Sequence, residues 1–461
     1  MGDIASLRAR ANDPEAGREG RLEALRELVA TPRFAAALPP GAAPSGEVNN
    51  HVHTIYSFSP YSPAMAALRA REAGLEVAGS VDHDSISASR EMIAACAAVG
   101  IGGVSGCELR VGFGREGGPA TAAFAGRKIN SPDSVGVVYM TIQGVPAGRV
   151  DELDAFLAPL RARRAERTRR MTAAASELLA AAGMARIDFD SEVLGRSMAR
   201  EGGGLTERHL LAAVADRLLG RFGRGAALVE GMEKSLGIRL APKPSALIAD
   251  PANPHLAYDI LGALKMGFLD GIFEQPDALE CPDAGGVVAF ARSIGAIPAY
   301  AYLGDVGESP TGDKKAEKFE DDFLEELLDY VAGLGYLAVT YMPPRNTPAQ
   351  LGRVRALCAE RDLMQISGVD INQPRQSFNC PELRKPQFSH LVDTTWALVA
   401  HEALSSLDSR LGLFAPDNPM AQAGLDARVE AYARAGRGLD PARPESASEV
   451  ARRLAEGGYS R

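Results

Sequence analysis

The sequence predicts an α/β protein, a sheet or barrel of parallel strands alternating with helices, with a helical insertion midway. Three observations predict it. From residue 47 onward, short apolar runs alternate with helical patterns, the β-α-β-α order that builds parallel sheets. Between about 150 and 245 the strand signal vanishes and helical periodicity takes over. Histidines and carboxylates fall at the ends of successive strands, and in βα barrels those ends share one face.

The elements follow in order. Residues 1–46 read as a helical extension, with leucines at helical spacing in "GRLEALRELVATPRFAAAL" and a stop in "LPPGAAPSG". The first part of the barrel spans 47–149. "EVNNHVHT", "LEVAGSVDHD", "IGGVSGCELRV" and "SVGVVYMTIQG" read as its strands, with helices "SPAMAALRAREAG" and "ISASREMIAACAAVG" between the first three. The insertion covers 150–245. Its run "RARRAERTRR" reads as a solvated helix face, and Thr206 as the N-cap of a later helix. The second barrel part, 246–384, resumes the alternation with strands "AIPAYAYLGD", "YLAVTYMPP" and "LMQISGVDIN". Residues 385–461 form a helical C-terminal extension.

Bulk properties narrow the function classes. The 461 residues are 46% hydrophobic and 24% charged, ordinary for a globular chain. A net charge of −9 argues against a partner such as extended nucleic acid and leaves room for a small anionic substrate in a locally basic pocket. Five cysteines without paired spacing read as reduced thiols. No signal sequence or membrane-length apolar stretch is visible, so a cytoplasmic location is expected.

The chemistry gathers at strand ends. His51 and His53 flank Val52, and residues two apart on a strand share a face. Two convergent imidazoles are half of a metal site. Asp82, His83 and Asp84 end the second strand, Glu108 the third, and Asp370 the last. Buried polar groups at the ends of apolar strands are costly unless paired or ligated. Each has a bland alternative: Glu108 as the partner of Arg110, His83 as a loop-orienting histidine, Asp370 as a turn cap. For Asp84 the N-cap of the following helix is the preferred reading.

"HVHT", then "VDHDS" about thirty residues on, then "GCE" and a late "SGVD" resemble the PHP family, the polymerase and histidinol phosphatase domains. The resemblance covers about 47–145 and 255–375. It implies a PHP-type distorted (β/α)7 barrel holding up to three Zn, Mn or Fe ions and hydrolysing phosphate esters. Carried over, the family's first metal site falls on His51, His53, Glu108 and Asp370. The other sites are depleted: Ser59, Tyr139 or Gln143, Tyr302 and Asn372 stand where the family has ligands, and His83 survives from the third site. A branch of the family carries a helical cap with a phosphate-gripping turn, which Arg208 and His209 resemble at a helix start, a natural anion site. An ordinary capped helix is the alternative there. Arg345 and Arg375 follow strand ends and suit either an anionic substrate or a structural ion pair.

The reading that results is a metal-dependent hydrolase, a phosphoesterase on a small phosphate ester or nucleotide. His51, His53, Glu108 and Asp370 hold a divalent metal, His83 or Asp82 handles the proton or orients its carrier, and Arg208, His209, Arg345, Arg375, Tyr302 and Asn372 line the substrate. The alternatives are chemistry on a carbonyl substrate, with Tyr139 and Tyr302 as acids, or binding without catalysis.

Overall fold

The computed structural model describes residues 3–32, 34, 45–114, 123–306, 318–440, 443 and 445–459. Helices α1 (Ile4–Ala11) and α2 (Gly17–Val29) open the chain. Leu22, Leu25 and Leu28 of α2 share a buried face at helical spacing. Arg21 on the same helix is buried because Glu91 accepts two hydrogen bonds from it, at 2.9 and 2.6 Å. Most of the proline- and glycine-rich stretch expected to end this lead-in lies outside the described residues.

Seven strands form one curled sheet in sequence order: β1 (Val48–Val52), β2 (Val77–His83), β3 (Gly102–Gly112), β4 (Val137–Gln143), β5 (Ile297–Ala301), β6 (Ala338–Tyr341) and β7 (Met364–Ser367). Helices α3 (Pro63–Glu72) and α4 (Ser89–Val99) cross between the first three strands. The edges meet beyond β7, where Val52 bridges Ile371 and the His53 amide donates to the Ile371 carbonyl at 2.9 Å.

The sheet is not wholly parallel, contrary to expectation. β4 runs antiparallel to β3 and β5, and the other neighbours are parallel. A parallel pair needs a crossover connection, usually a helix, whereas an antiparallel neighbour needs only a return of the chain. The glycine-rich sequence between β3 and β4 has no helical period to supply a crossover. The reversal carries Tyr139 to the end of the sheet that bears His83 and Glu108, opposite Arg110, and Gln143 to the far end, opposite Gly106.

Between β4 and β5 come α5 (Val150–Ala181), α6 (Glu207–Phe222), α7 (Ala226–Leu236), α8 (Pro242–Ala249), α9 (Leu256–Gly267) and α10 (Ala284–Ser293). Helices α5 to α9 bury an apolar cluster of their own, including Met171, Leu179, Leu210, Val214, Leu228, Ile260 and Leu264, and it continues to Ile272. The basic run of α5 is not a solvated face. Arg163, Arg169 and Arg170 are in solvent-exposed ion pairs, but Arg164 and Arg167 point inward and are buried. Carboxylates from distant segments compensate them: Arg164 pairs with Asp84 at 2.6 Å and Glu207 at 3.0 Å, and Arg167 with Glu207 and Glu280, both at 2.7 Å. Arg110 on β3 joins through Glu280. This buried network ties the helical insertion to the end of the sheet that bears Asp84 and Arg110.

Helices α11 (Leu324–Gly333) and α12 (Pro348–Glu360) follow β5 and β6. Then α13 (Ser389–Leu407), α14 (Leu425–Arg437) and α15 (Ser446–Ala455) close the chain. On α13, buried Glu402 accepts the Ser105 amide at 2.9 Å and hydroxyl at 3.0 Å. Among the described residues no helix is long and apolar enough to cross a membrane. The five cysteines are buried, and none is in a disulfide.

Candidate metal centre

The site is built on the ends of β1, β2 and β3 and the segment after β7. The register of β1 against β2 shifts between Asn49 and Val52, so His51 sits on an irregularity. Such bulges re-aim side chains. Backbone contacts fix the neighbourhood: the Asn49 carboxamide oxygen accepts the His51 amide at 3.0 Å, and its nitrogen donates to the Val369 carbonyl at 3.0 Å.

His51, His53 and Glu108 each offer a ligand atom, and those atoms lie within 4.8 Å of one another. Glu108 Oε1 is 3.9 Å from His51 Nε2, and its Oε2 is 4.0 Å from His53 Nε2. Asp370 reaches the group through its Oδ1, 3.3 Å from His53 Nε2. His83 approaches from the other side, its Nδ1 3.0 Å from Glu108 Oε2. That nitrogen is buried yet out of line for a hydrogen bond. Exposure orders the bowl: the His53 side chain is 2% exposed, His83 25% and Asp370 38%, so His53 lies on the floor and the other two at the mouth.

Hydrogen bonds fix the face that His53 presents. Its Nδ1 is 3.2 Å from Ser57 Oγ, and that hydroxyl donates to Asp82 Oδ1 at 2.5 Å. The hydroxyl oxygen therefore accepts from Nδ1–H, which leaves the Nε2 lone pair toward Glu108 and Asp370. Asp82 also accepts the Thr54 amide and hydroxyl, each at 2.7 Å. Both of its oxygens are taken, so of its two expected roles the bonds fit the orienter. Burial raises its carboxyl above the usual range, against those hydrogen bonds.

The electrostatics suit a cation. Burial, with His83 and His51 nearby, lowers His53 to about 3. For Glu108 burial acts upward, but His83, His51 and His53 together hold it at about 2. Asp370 is likewise held at about 2 against burial, by His53, His51, Arg208 and His83. The floor thus presents neutral imidazole beside ionised carboxylates, the donor set of a divalent metal. The donor set of His51, His53 and Glu108, with Asp370 beside it, fits such an ion.

The remaining expected residues divide sharply. Arg208 reaches the site: its Nη1 and Nη2 donate to the Asn372 carbonyl and side-chain oxygens at 3.0 and 2.9 Å, and Asn372 Nδ2 donates to Asp370 Oδ1 at 2.6 Å. His209 is instead a capping residue. Its Nδ1 accepts the Thr206 amide at 3.0 Å, and its ring packs edge-on against Phe58. Thr206 is the N-cap of α6 as expected. Arg345 donates to the Leu303 carbonyl at 3.1 Å, and Arg375 pairs with Asp259 at 2.8 Å. The Tyr302 hydroxyl donates to Asp321 at 2.6 Å. Asp84 is not a helix cap, because α4 begins at Ser89. It sits at φ 53° with its carboxylate on Arg164, a stronger partner than helix-end amides.

Sequence reasoning missed Thr54 and Ser57, the hydroxyls that carry the orientation from Asp82 to His53. Their signal was position alone, just past the two histidines. It also missed Phe58, whose φ of 69° is uncommon for a bulky residue. Phe58 turns from the barrel loop into the apolar cluster of the insertion, near Tyr258.

No protein-family model matches the chain. No curated protein sequence matches it either. Two solved structures are similar in outline. One is a putative metal-dependent phosphoesterase from Bifidobacterium adolescentis, with TM-score 0.47 and 17% identity over 74% of this chain and 95% of that one. The other is an amidohydrolase from Chromobacterium violaceum with bound sulfate and no metal, with TM-score 0.46 and 17% identity over 75% of this chain and 95% of that one. At that identity neither likeness assigns a substrate, or a role to any residue, of this chain.

Proposed function

We propose that this protein is a metal-dependent hydrolase of the PHP type that acts on a small anionic ester, a phosphate ester or nucleotide. The convergence of His51, His53 and Glu108, with Asp370 3.3 Å from His53, carries the reading. Those four residues would hold a divalent Zn, Mn or Fe ion. Such an ion supplies Lewis acidity, polarising an ester oxygen and acidifying water. Ser57 and Asp82 keep His53 in the tautomer that leaves Nε2 available. His83, at the mouth and 3.0 Å from Glu108, is the group that hands a proton to the departing oxygen.

Arg208 is the cation that meets the substrate's negative charge. It lies close enough to Asp370 to lower that carboxyl, and its bonds to Asn372 leave further guanidinium hydrogens for an anion. His209, Arg345, Arg375 and Tyr302 are engaged in structural bonds, so the substrate contact narrows to Arg208. The test is a panel of phosphate mono- and diesters against protein reconstituted with each metal. Turnover abolished by His51→Ala supports the reading, and no turnover across the panel removes the phosphate assignment. One observation favours chemistry on a carbonyl substrate instead. Tyr139 stands beside the site with its ring 6.0 Å from that of His83, where a phenol can serve as an acid. Hydrolysis of amides or lactones, lost in Tyr139→Phe, would establish that reading.

A further inference from the structure

Asn372 occupies an unusual position, wedged between a cation of the helical insertion and a carboxylate of the metal site. Its backbone is fixed, because the amides of Asn372 and Gln373 both donate to Gln376 Oε1, at 2.7 and 2.8 Å. The remaining freedom is rotation of its carboxamide. Arg208 Nη2 donates to the carboxamide oxygen at 2.9 Å, and Nη1 clamps the backbone carbonyl of the same residue at 3.0 Å. The carboxamide nitrogen is thereby turned to Asp370 Oδ1, at 2.6 Å. Reversing the carboxamide would set oxygen against carboxylate and NH₂ against guanidinium, two repulsive contacts in place of two favourable ones. Arg208 is itself held by its neighbour in sequence. Glu207, at the first turn of α6, is pinned by Arg164 at 3.0 Å and Arg167 at 2.7 Å.

We propose that Asn372 is a positioning residue of the metal centre and that Arg208 sets it, so that the helical insertion helps determine how tightly the barrel holds its metal. Arg208 dictates that Asp370 meets a donor rather than an acceptor. One lone pair of Asp370 Oδ1 is fixed by that donor, and another is left on the side of His53, where it would be available to an ion. Outer partners of this kind orient ligands before the metal arrives. The inference rests on the metal-binding reading above.

Arg208→Lys separates orientation from charge, since it keeps the cation but cannot form the two-pronged contact with Asn372. Affinity for Zn and Co is measured by chelator competition for the full chain, Arg208→Lys, Asn372→Ala and the double variant, with His51→Ala as the non-binding control. The visible spectrum of the Co-loaded forms reports ligand geometry. Arg208→Lys and Asn372→Ala should each weaken binding by about 10–100-fold. The double variant should be no weaker than Asn372→Ala alone, and both single variants should shift the Co spectrum. Unchanged affinity and spectrum in Arg208→Lys, or losses that multiply in the double variant, overturn the proposal. Asn372→Ala, a loop substitution, carries the same test should the insertion not tolerate lysine. Full-chain protein that takes up neither metal overturns the metal reading itself, an outcome distinct from tight binding by every variant except His51→Ala.

Discussion

Replacing Arg164 by methionine probes the buried network that joins the helical insertion to the sheet. Arg110, Arg164 and Arg167 balance Asp84, Glu207 and Glu280 in charge. Arg164→Met keeps an unbranched apolar stem and removes one cation, leaving a buried excess of negative charge. Glu207 retains Arg167 at 2.7 Å. Asp84 loses the partner of its carboxylate, 2.6 Å away, while its side chain is only 6% exposed. Breaking a buried pair from one side costs about 3–5 kcal/mol. Urea unfolding followed by far-ultraviolet circular dichroism should show a lower midpoint with an unchanged slope. Adding Asp84→Asn removes the stranded charge, so the double variant should be more stable than Arg164→Met. A loss below about 1 kcal/mol, the scale of an exposed pair, would refute the idea that these charges are desolvated and mutually dependent.

Two further outcomes follow from named contacts. Burial pushes Glu402 up to about 8 against the two donors of Ser105, well above its value of roughly 4.3 in an unfolded chain. The folded state therefore holds the proton more tightly, and stability should fall as pH rises from about 4.5 to about 8, then level off. Glu402→Gln can accept the Ser105 amide on its oxygen and donate its NH₂ to the Ser105 hydroxyl oxygen, and it should flatten that slope and be the more stable form above pH 8. A wild-type melting temperature level across that range would contradict it. Ser57→Ala removes the hydroxyl between Asp82 and His53. Metal affinity by chelator competition should fall about 10-fold or more, and wild-type affinity would show that the tautomer of His53 is set otherwise.

That His51, His53, Glu108 and Asp370 come together was legible because residue type and position coincided. Two histidines either side of Val52, a glutamate and a late aspartate at the ends of apolar runs have few structural explanations together. The direction of β4 was not legible, since alternation of apolar residues is the same read either way along a strand. Nor was the burial of Arg164 and Arg167. A basic helical run looks solvated until the chain brings Asp84, Glu207 and Glu280 to it from three separate segments. The same limit hid the division of labour in "VDHD". Four consecutive residues hold a strand core, an orienter bonded to Thr54 and Ser57, a rim imidazole and an ion-pair partner, and only the neighbours distinguish them. Arg345, Arg375, His209 and Tyr302 had the right chemistry for an anion, but backbone carbonyls, carboxylates and a helix cap reach them first.

Elemental analysis of the purified protein, beside His51→Ala and Asp370→Ala, tests the central claim most directly. About one equivalent of divalent metal is expected in the unaltered chain, and its loss from both variants. Absence of metal after reconstitution with Zn, Mn and Fe would contradict it.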